Sequence, residues 1–111
     1  MGEKGARQSA EGAERAAMLV ESLEPLGPVT SRTMFGGHGI FLDGTMFALV
    51  DTRGAAYLRA DDATAPDFEA AGSERHGRMP YWRIPDAVLQ DPDQLLAWGG
   101  RAGEVARAAK G

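Results

Sequence analysis

The chain contains no cysteine. Disulfides and thiolate-bound metals are excluded, and the composition suits a reducing cytoplasm. Histidine is nearly as scarce: His38 and His76 are the only two, and neither has a second ligand at the helical i+3 or i+4 spacing that builds a metal site. Long apolar runs are also missing. The first helical segment offers only Ala16-Ala17-Met18-Leu19-Val20, too short for a signal-peptide core and far too short to span a bilayer. No membrane association and a cytoplasmic location are the resulting expectations.

A basic excess is lacking as well. Net charge is −4, whereas nucleic-acid binders draw most of their affinity from neutralising phosphates. Between Thr30 and Pro85 six arginines face seven acidic residues, so no local basic block compensates. Direct nucleic-acid binding is disfavoured. Catalytic constellations are absent in the same way. No Gly-x-Ser-x-Gly elbow occurs, and the carboxylate pairs Asp61-Asp62 and Asp91/Asp93 stand where helix caps are expected. The expectation is a protein that is not an enzyme and carries no cofactor.

What is present fits one domain of 111 residues, with 43% hydrophobic and 25% charged residues. Residues 1–8 lack apolar periodicity and read as a disordered tail, leaving 9–111 as a single domain. Ala16, Leu19, Val20 and Leu23 recur along one helix face until Pro25 and Gly27-Pro28 break it. Three strand-like segments follow. Thr30 to Leu42 reads as one long strand, Asp43-Gly44 as a type I′ turn, Thr45–Asp51 as a strand buried on both faces, and Ala55–Ala60 as the returning strand. The segment DDATAPDFEAAG predicts a short helix capped by Thr64, with Asp67 in the capping-box position and Gly72 at its end. Met79–Ile84 supplies a further strand and Asp86–Gln90 a single helical turn. Asp91-Pro92-Asp93-Gln94 then starts a last helix, with Leu95, Trp98, Ala102, Val105 and Ala109 on one stripe. Gly99, Gly100 and Gly103 lie inside it; close packing would explain them, and fraying after Trp98 is the simpler reading.

Two stretches carry the functional question. The first is TMFGGHGIFLDG, residues 33–44. A phosphate loop needs its glycines between a strand and a helix, so that amides converge on the anion. Here Gly36-Gly37-His38-Gly39 leads into another strand and a turn, which points to a bulge or sharp bend with close backbone approach. The second is RMPYWRIP, residues 78–85. Alternation sets Tyr81 and Arg83 on one side and Trp82 and Ile84 on the other. Trp82 reads as core, while Arg78, Tyr81 and Arg83 form a candidate partner surface or, equally, a plain strand face.

The collinear set EPLGPVTSRTMFGGHGIFLDGTMFALV, AYLRAD, FEAAGS, YWRIP and DPDQLLAW resembles the N-terminal domain of the TfoX/Sxy family over about residues 16–107. The resemblance implies an α+β domain of secretion-chaperone-like type. Its antiparallel sheet of 4–5 strands would be flanked by helices, in the order helix, meander, helix, strand, helix. It makes Arg32, Met34, Phe35, Gly36, Gly37, Gly39, Asp43 and Gly44 fold-signature residues. It also implies a non-catalytic protein-interaction module related to competence and transcription, working with the transcription machinery or a cyclic-AMP-receptor-type regulator. The chain corresponds to the first domain of such regulators without the second. Between Ser73 and Tyr81 it holds only a short segment, so a strand there is expected to be shortened or lost, leaving a sheet edge on which a homodimer could form. A small-molecule sensor and a nucleic-acid binder are the alternative readings.

Overall fold

The computed structural model describes residues 10–34 and 36–110. The expected tail at 1–8, the helix start at Ser9 and the signature residue Phe35 lie outside them. Helix α1 (Ala10–Leu23) runs into a 3₁₀ turn at Glu24–Leu26, where Pro25 ends the α-helical bonding. Five strands follow: β1 (Val29–Met34), β2 (Gly37–Leu42), β3 (Thr45–Val50), β4 (Ala56–Arg59) and, after α2 (Ala65–Ala70), β5 (Tyr81–Arg83). A single-turn α3 (Asp86–Leu89) precedes the long α4 (Pro92–Lys110). The sheet is antiparallel throughout, and its spatial order β1-β2-β3-β4-β5 repeats the chain order. The expected α+β class and element order are both observed.

One strand boundary differs. Thr30 to Leu42 is not one bent strand but a hairpin, with Met34 paired to Gly37 across a two-residue turn. Gly36 takes φ 81° in that turn, and at Gly37 a side chain would collide with the Val50 carbonyl of β3. The glycine cluster thus reverses the chain where a bulge was expected. The actual irregularity lies further on, where Ile40 pairs with Ala48 but Phe41 with Met46. Phe47 is the extra residue, and it joins Ala48 in the core instead of pointing away from it. Asp43 (φ 53°) and Gly44 (φ 85°) adopt the positive φ values that a type I′ turn demands.

Register sorts the sheet into two faces. Ile40, Ala48, Leu58 and Trp82 follow one another across neighbouring strands on one face. With Val50, Ala56 and Ile84 they meet Ala16, Leu19 and Leu23 of α1, Phe68 of α2, Val88 of α3 and Leu95, Ala102 and Ala106 of α4. All four helices therefore cover the same face. Fraying after Trp98 is not observed, because the helix continues to Lys110. A Cβ on Gly99 would come within 2.8 Å of Leu23, and one on Gly103 within 2.8 Å of Leu42, so these glycines let α4 lie close to α1 and β2. The close-packing reading holds.

The helix starts are partly as expected. Asp91 caps the helix by accepting the Asp93 and Gln94 amides on one oxygen, and its second oxygen accepts the Gln94 side-chain amide; the glutamine thus reinforces the cap without closing a reciprocal box, since the Asp91 amide donates to the Val88 carbonyl. These bonds, led by that from the Gln94 side chain, hold the Asp91 carboxyl below its ordinary pKa. Thr64 does precede α2, but its hydroxyl accepts the Asp61 amide and caps nothing in the helix. Asp67 does not close a capping box either; it forms a salt bridge to Arg101 of α4. The turn ahead of α2 is organised instead by Asp61, whose carboxylate accepts the Ala63 and Thr64 amides.

Candidate functional site: the open face of the sheet

Among the described residues the opposite face of the sheet carries no helix. Arg32, Gly39, Leu49, Tyr57 and Arg83 lie side by side across it, one per strand. In place of a helix, residues 74–80 fold along one end. Arg75 holds this loop in shape, its Nε donating to the Met79 carbonyl at 2.9 Å and its Nη2 to the Arg78 carbonyl at 3.1 Å. Between loop and sheet runs a groove of about 620 Å³, bordered by Met34, Met46, Leu49, Tyr57, His76 and Met79 together with Asp51 and Arg53. Three of the five methionines in the chain meet there. Gly39 lies beneath two of them: a Cβ at that position would press on the Met34 and Met46 sulfurs at 3.0 and 3.2 Å and on the Phe41 ring at 3.1 Å, so the missing side chain lets these three pack down on the sheet. Met79, 42% exposed, is the one large apolar side chain among the described residues that stands out into solvent.

Two polar groups beside the groove, Asp51 and Tyr57, are held in place. Asp51 accepts the Arg53 and Ala55 amides on one oxygen and the Tyr57 hydroxyl at 3.3 Å on the other. Burial first, and then the neighbouring Asp51 carboxylate, raise the Tyr57 pKa, so this hydroxyl remains protonated at neutral pH. The His76 ring stands edge-on against Tyr57 at 4.8 Å. His38 also borders the groove but is itself buried. Among the described residues no three His, Asp or Glu side chains are grouped to hold a metal.

The residues singled out in the sequence fall into place unevenly. Arg32 lies across the Phe41 ring at 4.7 Å on the open face, and Met34 borders the groove. Gly36, Asp43 and Gly44 make turns, Gly37 begins β2 where it passes close to the Val50 carbonyl, and Gly39 makes room for Met34 and Met46. Arg78 and Arg83 are exposed as a partner surface requires, Arg78 next to Met79 and Arg83 beside Tyr57. Tyr81 does not belong with them. It is only 3% exposed: its hydroxyl donates to the Met46 carbonyl at 3.4 Å and Arg59 stacks on its ring. Side-chain alternation set it correctly on the open face, but there it packs down against the sheet. Trp82 packs on the core as expected, stacked on Phe68. Sequence reasoning missed Met46, Leu49, Tyr57, His76, Met79 and Arg53. No local signal marks them, because their meeting depends on strand register and on the fold of residues 74–80.

A helix-backed antiparallel sheet with one open, sulfur-lined face defines an α+β domain. Comparison with known families is specific: the model of the TfoX N-terminal domain matches residues 21–106, and the chain belongs to that family. It is also similar to the DNA transformation protein TfoX1 of Aliivibrio fischeri (strain ATCC 700601 / ES114), 31% identical over 83 residues. The match covers 68% of this chain but only 39% of that relative's length.

Proposed function

We propose that the domain is a non-catalytic protein-interaction module of competence-related regulation, acting in the bacterial cytoplasm, and that the methionine-lined groove is where its partner docks. The groove carries this reading. Flexible, polarisable thioethers adapt to varied apolar side chains, which is why methionine is used at adaptable binding surfaces. Arg32, Arg53, Arg78 and Arg83 border the same face, whereas many of the acidic residues sit on the helices behind it, among them Glu14, Glu21, Asp93 and Glu104. The occupant that fits is an apolar segment of a protein bearing carboxylates at its flanks. The family resemblance points to a component of the transcription machinery or a cyclic-AMP-receptor-type regulator. A small-molecule sensor is the second reading, favoured by a volume within the range of ligand sites.

The immobilised domain would be used to capture partners from untreated and nuclease-treated lysates of its own bacterium, beside a Met46→Ser/Met79→Glu variant. Enrichment of RNA polymerase or such a regulator, lost in the variant and reproduced with the purified partner, is the expected result. Equal capture by the variant would remove the groove from the proposal. Enrichment that disappears on nuclease treatment would replace the protein partner with a nucleic acid.

A further inference from the structure

We propose that the β1 edge of the sheet is a self-association surface, on which a second copy of the chain adds its own β1 antiparallel about a two-fold axis through Ser31. This inference rests on the edges of the sheet and is independent of the groove. The two edges are unlike. β5 is only three residues long, and its outer side is already occupied: Arg75 bridges Trp82, the Arg83 amide donates to the Glu74 carbonyl at 2.9 Å, and the His76 amide donates to the Tyr81 carbonyl at 2.8 Å. The shortened segment before Tyr81 thus survives as a single bridge and closes the edge that the sequence suggested would stay open.

Among the described residues β1 has no such cover. The Asp43 amide donates to the Pro28 carbonyl, so Pro28 and Asp43 form a hydrogen-bonded pair. Antiparallel alternation then turns the backbone groups of Thr30, Arg32 and Met34 toward β2, and those of Val29, Ser31 and Thr33 outward. None of these three outward residues has a backbone partner among the described residues outside the ladder. The usual means of blunting an edge are missing. β1 contains no proline or lysine, and its six pairs with β2 run without a bulge. Its single charge, on Arg32, is drawn back over the Phe41 ring.

The register follows from the side chains. An axis through Ser31 sets Ser31 opposite Ser31 of the second copy, Thr30 opposite Arg32, and Val29 opposite Thr33. These pairs are small, β-branched or uncharged on one side, and they favour strand pairing. Moving the axis to Arg32 would place two arginines face to face, which is unfavourable, and moving it to Thr30 would keep only residues 29–31 of β1 in the pairing. The product is one continuous sheet made of two five-stranded sheets. A contact of a single strand pair is small, so the dimer is weak and depends on concentration.

The absence of cysteine makes the test direct. In Ser31→Cys the two new thiols would face each other with Cα atoms about 5.5 Å apart, within disulfide reach. Oxidation should yield a covalent dimer at least tenfold faster than in an exposed control, Asp93→Cys on α4. For the unmodified chain, sedimentation should show the mass rising from 11.8 kDa toward twice that value between about 10 µM and 1 mM. Ser31→Pro removes an outward amide without breaking a bond to β2 and should stay monomeric at every concentration. Should that variant fail to fold, hydrogen exchange on the unmodified chain decides: the Ser31 and Thr33 amides should slow as concentration rises. A constant monomer mass, cross-linking no faster than the control, or a folded Ser31→Pro variant that still dimerises would each overturn the proposal.

Discussion

The two faces of one sheet are built on opposite terms. On the helix-covered face the side chains are aliphatic and aromatic, Leu58, Ile84 and Phe47 are wholly buried, and glycines in α4 bring the layers together. On the open face glycine makes room for flexible side chains instead. Gly39 lets Met34, Met46 and the Phe41 ring lie down on the sheet, and the two methionines border the groove beside it. One face is committed to stability, and the other keeps apolar surface in reserve.

Substitutions should separate the faces, and the largest effect belongs to the covered one. Leu58→Ala leaves a cavity beneath α4 and should cost about 2–5 kcal/mol in urea unfolding. The contrast between the faces would break if Met46→Ala cost as much. Gly37→Ala should cost about 1–3 kcal/mol, because the new methyl meets the Val50 carbonyl and backbone yields poorly. Gly39→Ala should cost about 1 kcal/mol, less than Gly37→Ala, since the new methyl meets side chains only, the Met34 and Met46 sulfurs and the Phe41 ring, and by displacing the two methionines that border the groove it weakens partner binding in a titration. Met79→Ser should change stability by no more than about 0.5 kcal/mol and act on binding alone.

A smaller effect is read from pH. Asp91 and Asp61 accept amide and side-chain hydrogen bonds that lower their pKa on folding. Their contribution is complete above the ordinary value of 3.8 and is lost as pH falls through the folded-state value. Stability measured from about pH 5 to pH 2 should therefore fall less steeply in Asp91→Asn than in the unmodified chain.

The covered face was largely legible in the sequence, because its signals are local. Asp43-Gly44 announces its turn, Asp91-Pro92-Asp93-Gln94 announces its helix, and Leu19, Leu23, Leu95 and Ala102 repeat at helical spacing. The open face was not. Phe35-Gly36 lacks the Asn-Gly or Asp-Gly signature, so a hairpin passed for a bent strand. Met34, Met46 and Met79 meet only through register across several strands and the fold of a loop. Tyr81 shows the same limit: alternation gives the side of the sheet but not whether a side chain there stands up or lies flat, which Met46 and Arg59 decide.

The strand order has a consequence for folding. From β1 to β4 each strand meets its predecessor across a short turn, so these contacts close at little entropic cost and favour rapid assembly. β5 must wait for residues 60–80 to find their path, and the loop bearing His76 and Met79 arrives with it. This flap is the natural unit of local opening, ahead of the β2–β3 centre, and amide exchange should show it as the first region to lose protection. The groove is then completed last as the chain folds, and it can open on one side while the rest of the domain stays folded.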